Sequence, residues 1–165
     1  MEIERKFTIK ELPKELEKYE KKEIEQGYLC IEPVVRIRKS DDDFYMTYKA
    51  NKNIAFKNNE AALINEEVEV PLTKEAYLHL KEKVDYHIIE KTRYIIPLEN
   101  NLKIELDVFK GCLNGLYFAE VEFRNEEEAK SFEAPDWFLE DVSFDKRFRN
   151  NYLIQIDSLD ELGLA

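Results

Sequence analysis

The sequence opens with Met1-Glu2-Ile3-Glu4-Arg5-Lys6-Phe7, in which charged and apolar side chains alternate. Successive side chains of a β-strand point to opposite faces, so Glu2, Glu4 and Lys6 share one face. Ile3 and Phe7 lie on the other face. We therefore predict that the chain begins with a strand that has one charged face and one apolar face.

The same charge-x-charge spacing recurs in five later stretches. These are Arg36-Ile37-Arg38, Glu67-Val68-Glu69, Lys91-Thr92-Arg93, Glu105-Leu106-Asp107 and Glu120-Val121-Glu122. Charges on the surface of a sheet are usually just solvated, and that interpretation stays open. However, most of these pairs carry one sign, and like charges on one strand face repel each other. Clustered like charges are typical of ligand sites, so the pattern favours a binding site for metal ions and a polyanion.

The alternation predicts an α+β chain that is mainly antiparallel β. Eight strands are expected, with helices packed outside an eight-stranded closed barrel whose charged lumen forms a tunnel. After the first strand, the predicted strands cover residues 23–31, 34–39, 44–50, 64–72, 87–98, 102–109 and 116–124. Helices are expected over 11–22, after the N-cap Thr73 with Ala76, Leu78, Leu80 and Val84 on its packing side, and from the N-cap Asn125 through Lys130. A mobile loop is expected over 51–59, and a partly helical segment over 135–156 that covers one barrel end.

Composition excludes several classes of protein. The chain has 165 residues, which is most simply one domain over 1–165, and a net charge of −11 that disfavours nucleic-acid partners. No apolar run is long enough for a bilayer, and no apolar leader is present. Cys30 and Cys112 are isolated and are expected to be reduced thiols, so we predict a cytoplasmic protein without membrane partners. A homodimer is left open.

The ordered motifs resemble one family. Glu2-Ile3-Glu4-Arg5-Lys6 is similar to the ExExK signature of the CYTH superfamily, also called triphosphate tunnel metalloenzymes. Further motifs follow in the order of the short bacterial members. They are Gln26-Gly27-Tyr28-Leu29, Arg36-Ile37-Arg38, Thr47-Tyr48-Lys49, the stretches that begin at Glu67, Glu90, Glu105 and Glu120, and Asp145-Lys146-Arg147-Phe148. The resemblance covers nearly the whole chain.

The resemblance implies hydrolysis of a small triphosphate with Mg²⁺ or Mn²⁺. It implies metal ligation by Glu2, Glu4, Asp107, Glu120 and Glu122. The implied phosphate-binding set is Lys6, Arg36, Arg38, Lys49, Lys91, Arg93 and Arg147, although the last motif varies within the family, which leaves Lys146 and Arg147 as alternatives.

The chemistry of the residues agrees with these roles. Hard divalent cations bind carboxylate oxygens, and Arg and Lys side chains bind phosphate oxygens. The attacking water needs a carboxylate or a metal to hold it, and Glu67, Glu69 and Asp107 compete for that role. Tyr28 has two possible roles. It either orients Lys6, in which case Lys6 and Tyr28 belong to the catalytic group with Glu67 and Asp107, or it lines the wall of the site.

Two other functions compete with a triphosphatase. A class IV-type adenylyl cyclase would hold the same triphosphate while the ribose hydroxyl attacks, but no spare segment offers an adenine pocket. A non-catalytic polyphosphate- or nucleotide-binding module would be expected to lack the acidic ligands, which are all present. The sequence does not say which triphosphate is used.

Overall fold

The computed structural model describes residues 2–51, 54–55 and 61–163, and the described part contains ten β-strands and three short α-helices. The strands are β1 Glu2–Ile9, β2 Glu20–Cys30, β3 Val34–Ser40, β4 Asp43–Asn51, β5 Ile54–Ala55, β6 Ala61–Pro71, β7 Asp85–Pro97, β8 Lys103–Phe109, β9 Tyr117–Phe123 and β10 Phe138–Asp141. The helices are α1 Lys74–Lys81, α2 Glu126–Ser131 and α3 Asn150–Leu153. The prediction of a mainly antiparallel β chain with few helices is confirmed.

All strand pairs are antiparallel, and their order is β10-β1-β9-β8-β7-β2-β3-β4-β6-β5. Strand β1 also pairs with β6, through Glu2 opposite Asn65, Ile3 opposite Ile64 and Glu4 opposite Leu63. Strand β1 therefore has β9 as a partner, and β6 and β10 as two further partners. The pairing of β1 with β6 thus joins two strands that lie near opposite ends of the strand order.

The first apolar cluster lies on the face of the sheet opposite the charged residues. In β9, Ala119, Val121 and Phe123 are buried and pack with Ile3 and Phe7 of β1. Helix α2 covers this face through Ala129. The alternation of side chains thus places the apolar residues against the outer helices and leaves the charged residues for the opposite face.

The second apolar cluster lies at one end of the charged face. Along β9, the row that begins with Glu122 and Glu120 continues with the fully buried Phe118. Phe118 packs edge-on against Phe109 of β8 and Phe148 of the C-terminal segment, at centroid distances of 5.4 and 5.3 Å. The C-terminal segment therefore contributes apolar side chains that pack where this charged row of β9 ends.

The two predicted N-caps are confirmed. The Thr73 hydroxyl accepts a hydrogen bond from the Ala76 amide at 3.1 Å and starts α1. The Asn125 side chain accepts one from the Glu128 amide at 2.8 Å and starts α2. The predicted packing side of α1 is wrong in part, because Tyr77 is its buried residue and Leu78 is exposed.

Three other predictions of local structure need correction. The predicted helix over 11–22 is replaced by a single 3₁₀ turn, Leu16–Lys18, and β2 already begins at Glu20. Only residues 20–22 of this range belong to a strand, where they pair with β7, so strand pairing overrides the helical spacing of Leu12, Leu16 and Tyr19. The segment 135–156 contains β10, which pairs with β1 and was not predicted. In the predicted loop 51–59, residue 51 ends β4 and residues 54–55 form β5, and the rest lies outside the described residues.

Within the described part of the chain, no helix has the length and apolar content needed to cross a membrane.

Candidate active site

A cavity of about 280 Å³ lies against the charged face of the sheet. Its described lining includes seven carboxylates and seven cationic side chains. They are Glu2, Glu4, Glu67, Glu69, Glu105, Glu120 and Glu122 with Lys6, Arg36, Arg38, Lys49, Arg93, Lys103 and Arg149. The volume is near the lower limit of small-ligand pockets. A lining with both acidic and basic side chains suits a ligand that combines an anion with metal cations.

One side of the cavity is a group of carboxylates around a lysine. The Nζ atom of Lys49 lies 2.6 Å from an oxygen of Glu2, 3.6 Å from Glu4 and 3.9 Å from Glu67. Strand pairing explains this arrangement, because Lys49 of β4 is directly opposite Glu67 of β6, and β6 pairs with the start of β1. We call Glu2, Glu4, Glu67 and Lys49 the carboxylate side.

The pKa values on this side reflect crowding and burial. Burial raises the pKa of Glu4 to about 8, against the attraction of Lys49. Burial, with a hydrogen bond to Glu2, raises the pKa of Glu67 to about 7. Burial alone would raise the pKa of Glu2, but Lys49 outweighs it and the pKa is lowered. One ammonium group thus compensates fewer charges than these carboxylates carry when ionised.

The donor chemistry of the carboxylate side fits a hard divalent cation. Mg²⁺ and Mn²⁺ prefer oxygen ligands, and these carboxylates already gather around a positive charge. Glu120 and Glu122 of β9 also line the cavity, and Glu122 is directly opposite Glu4 in the strand register. In the described ranges, however, no three His, Cys, Asp or Glu side chains stand in an arrangement that could hold a metal as they are. Lys49 Nζ lies among these carboxylates, 2.6 to 3.9 Å from their oxygens.

The guanidinium groups of β3 have neutral partners instead of carboxylates. Arg36 donates to the Thr47 hydroxyl at 3.3 Å, and its buried Nε atom has no hydrogen-bond partner in the described part of the chain. Arg38 donates twice to the Gln26 side-chain oxygen, at 2.7 and 3.0 Å. Burial, with repulsion by Arg36 and Arg93, lowers the pKa of Arg38 to about 9. The two residues therefore hold buried positive charge that an anion would stabilise.

Two residues of the predicted site lie behind the cavity. Asp107 is fully buried; it accepts from Lys91 Nζ at 2.7 Å and from Arg93 Nε and Nη2 at 2.7 and 2.9 Å. Burial opposes ionisation, but Arg93 and Lys91 hold the pKa of Asp107 well below its ordinary value. The Lys91 side chain has no exposed surface, and burial lowers its pKa to about 7. Neither residue lines the cavity, whereas Arg93 does.

Lys6 and Tyr28 both line the cavity, but no hydrogen bond joins them within the described structure. The Lys6 ammonium donates to the Phe148 carbonyl at 2.8 Å and lies 3.8 Å from Glu120. The Tyr28 hydroxyl accepts from the Gln26 side chain at 3.0 Å. The proposal that Tyr28 orients Lys6 therefore finds no support in this geometry. Tyr28 instead holds Gln26, which in turn holds Arg38.

The basic residues of the last motif divide between surface and cavity. Arg147 is largely exposed and pairs with Asp145 at 2.7 Å and with the Leu162 carbonyl at 2.8 Å, outside the cavity. The cavity is lined instead by Arg149, Asn150 and Asn151, which the sequence analysis did not select. Lys103 and Val34 were also missed. Strand periodicity could have indicated Lys103, which shares its face with Glu105, but no comparable signal exists for the C-terminal residues.

Comparison with known proteins places these features in a family. Residues 1–149 match the CYTH domain. An inorganic triphosphatase of Nitrosomonas europaea is 35% identical over 156 residues, which are 92% of this chain and 95% of that protein. An inorganic triphosphatase of Acetivibrio thermocellus is 31% identical over 132 residues, 79% of this chain and 78% of that one.

A solved structure agrees with the sequence relatives. The crystal structure of the inorganic triphosphatase NE1496 is 31% identical, covers 96% of this chain and 97% of its own, and superimposes with a TM-score of 0.67. The family match spans most of the chain and both sides of the cavity. The chain belongs to the CYTH domain family.

Proposed function

We propose that this protein is a divalent-metal-dependent triphosphatase that hydrolyses a small triphosphate, with inorganic tripolyphosphate as the preferred substrate. The observation that carries the proposal is the cavity lined by seven carboxylates and seven cations in a chain 35% identical to an inorganic triphosphatase over 156 residues. We also propose that residues 1–165 form one domain, and that eight strands close into a barrel around the cavity as a tunnel. The pairing of β1 with both β9 and β6 supports closure.

The proposed substrate site uses the cations of the cavity wall. Arg36 and Arg38 present guanidinium groups without carboxylate partners among the described residues, so they bind phosphate oxygens at little cost in lost ion pairs. Arg93 is held by Asp107 on two nitrogens, which fixes its planar group at the wall. Lys6 adds a point charge. We assign Asp107 and Lys91 to holding Arg93 in place, because both lie behind the cavity.

The proposed metal site uses the carboxylate side with Glu120 and Glu122. Mg²⁺ or Mn²⁺ bound there would neutralise phosphate charge and supply an activated water. The residues of the chain then have two tasks. Glu2 and Glu4 would hold the metal ion. Glu67 accepts a proton from the water that attacks the terminal phosphorus, while the P–O bond to the departing diphosphate breaks. Lys49 leaves the carboxylates and joins the phosphate-binding cations.

The test is phosphate release by the purified protein from tripolyphosphate, pyrophosphate, ATP and thiamine triphosphate. Each substrate is measured with Mg²⁺, Mn²⁺ or EDTA. We expect tripolyphosphate to be the best substrate and EDTA to abolish turnover. With ATP and Mn²⁺, chromatography should give ADP and phosphate. Cyclic AMP and pyrophosphate as main products would overturn the proposal in favour of a cyclase, and binding without turnover of any substrate would favour a binding module.

A further inference from the structure

Gln26 lies behind the cavity wall and joins two residues that line it. Its side chain is fully buried on β2, where Gln26 is directly opposite Arg38 of β3. Its Oε1 atom accepts hydrogen bonds from Nε and Nη2 of Arg38, at 3.0 and 2.7 Å. Its Nε2 atom donates to the Tyr28 hydroxyl at 3.0 Å. Arg38 and Tyr28 line the cavity, whereas Gln26 does not, so Gln26 acts on a bound ligand through these two neighbours.

The backbone of β2 sets this arrangement. The pairing of β2 with β7 shifts register between Gln26 and Tyr28, at Gly27. A Cβ atom on Gly27 would lie 2.7 Å from side-chain carbons of both Val84 and Ile88, which is too close for a real contact. The pairing of β2 with β3 continues without a break through the same three residues. Gln26 and Tyr28, two residues apart, therefore share one face of β2, and the amide reaches the hydroxyl.

Arg38 determines which way the amide of Gln26 points. A guanidinium group only donates hydrogen bonds, so the atom that it meets must be the amide oxygen. The amide nitrogen is then turned to Tyr28 and donates to the phenolic oxygen. The hydroxyl hydrogen of Tyr28 is thus left for another acceptor, and among the described residues it makes no hydrogen bond. Because Tyr28 lines the cavity, a phosphate oxygen there can accept this hydrogen.

The amide also holds Arg38 without neutralising it. Arg93 is bound through two nitrogens by the carboxylate of Asp107, whereas the two nitrogens of Arg38 meet a neutral oxygen. The charge of Arg38 therefore stays available to an anion in the cavity. A carboxylate in place of the amide would form a bidentate ion pair with Arg38 and cancel that charge.

We propose that Gln26 is a positioning residue of the substrate site, whose neutral amide orients Arg38 and Tyr28 as donors to the phosphates and leaves the charge of Arg38 uncompensated. The inference rests on the proposed function and deepens it, because Gln26 lies behind the residues that would contact the substrate. Gln26→Glu keeps the shape of the side chain but accepts hydrogen bonds from both neighbours. It would neutralise Arg38 and draw the Tyr28 hydrogen away from the cavity, so it should harm binding more than folding.

The experiment compares wild type with Gln26→Glu, Gln26→Met and a matched control, Gln155→Glu, which makes the same change in an exposed side chain. The kcat and KM for tripolyphosphate are measured with Mn²⁺, and the Kd of tripolyphosphate is measured in EDTA by calorimetry. For Gln26→Glu we expect KM and Kd to rise by about tenfold or more, as for loss of charge-assisted hydrogen bonds, while Tm does not fall. For Gln26→Met we expect a smaller rise in Kd, because Arg38 keeps its charge and loses only its anchor.

A double-mutant cycle separates positioning from a purely structural role. Arg38→Met removes the main residue through which Gln26 acts, and its control is Arg124→Met, which removes an exposed arginine paired with Glu128. Adding Gln26→Met to Arg38→Met should raise Kd much less than Gln26→Met does in wild type, since residues that act as a unit are not additive. Circular dichroism and thermal melting check that each variant is folded, and the cycle decides if Gln26→Glu does not fold.

Two results would overturn the inference. One is a folded Gln26→Glu with the KM and Kd of wild type. The other is an equal increase in Kd from Gln26→Met with and without Arg38. If wild type itself neither binds nor cleaves tripolyphosphate, it is the proposed function that fails.

Discussion

Two parts of the cavity lining differ in the sign of the charge that lacks a partner. On the carboxylate side, Glu2, Glu4 and Glu67 surround one ammonium group, so ionisation of all three would leave negative charge in excess. Elsewhere in the cavity lining, Arg36 and Arg149 have buried Nε atoms that lack a hydrogen-bond partner among the described residues, so positive charge there is left uncompensated. The carboxylates lack cations, and the arginines lack anions. A complex of divalent metal and polyphosphate would supply both at once, which is why we expect the two ligands to bind cooperatively.

The comparison teaches that ion pairs inside the cavity are not all of one kind. Lys49 is paired with carboxylates of the proposed metal site, so a bound metal ion would replace its contacts. Arg93 is held on two nitrogens by a fully buried aspartate, so its contacts are permanent. Residues that bind ligands and residues that hold those ligand-binding groups can therefore be separated by mutation.

The largest effect is expected from Glu4→Gln on the carboxylate side. The amide keeps the shape but removes one charge, and loss of such electrostatic stabilisation costs about 100- to 1,000-fold in kcat. Turnover of tripolyphosphate with Mn²⁺ is the measurement, and the exposed Glu17→Gln is the control. The melting temperature without metal should not fall, because a crowded carboxylate has been removed. Full activity of Glu4→Gln would refute the metal assignment.

Arg36→Gln tests the other side. It removes a buried charge whose hydrogen-bond partner among the described residues is the Thr47 hydroxyl, so the loss should appear in substrate affinity. We expect KM for tripolyphosphate to rise about 10- to 100-fold. Calorimetric titration of tripolyphosphate in EDTA checks that the effect is on the anion and not on the metal. An unchanged Kd, with Arg124→Gln as the matched control, would mean that this side does not bind phosphate.

Lys49→Met tests whether the lysine stands in for a metal. Without its ammonium, the carboxylate side loses its internal cation, and we expect a loss of roughly 2 kcal/mol in the metal-free protein. For a chain of this size that is roughly 4–8 °C in Tm. Added Mn²⁺ should raise Tm more in the variant than in wild type. If Mn²⁺ instead bound more weakly to the variant than to wild type and to the exposed control Lys18→Met, Lys49 would not compete with metal.

The smallest effect on affinity is expected from Arg147→Ala. This residue lies two positions from Arg149 but pairs with Asp145 and the Leu162 carbonyl outside the cavity. Its loss should lower Tm slightly by freeing the C-terminal turn, while KM for tripolyphosphate changes much less than in Arg149→Ala. The same kinetic assay measures both variants. A rise in KM as large as that of Arg149→Ala would return Arg147 to the substrate site.

Much of the strand framework could be predicted because a period of two is a local property of the sequence. Glu2, Glu4 and Lys6 line the cavity as their spacing in the first strand indicated, and Ile3 and Phe7 are buried on the opposite face. The caps at Thr73 and Asn125 were also predictable, since a capping side chain bonds to an amide only three residues away. The prediction of a helix over 11–22 was wrong because a few apolar residues at helical spacing do not outweigh strand pairing.

What the sequence determined by itself is which residue types share a strand face, and therefore which charges could meet. What only the tertiary structure decided is which of them do meet. Asp107 carries the same spacing as Glu120 and Glu122, yet it is buried behind Arg93 because Arg93 is directly opposite it in the register of β7 and β8. Arg149 and Arg147 are two residues apart, yet only Arg149 lines the cavity, because the C-terminal turn is oriented by packing of Phe148 against distant strands. Periodicity is set by neighbours in the chain, whereas register and docking are set by contacts between residues far apart in sequence.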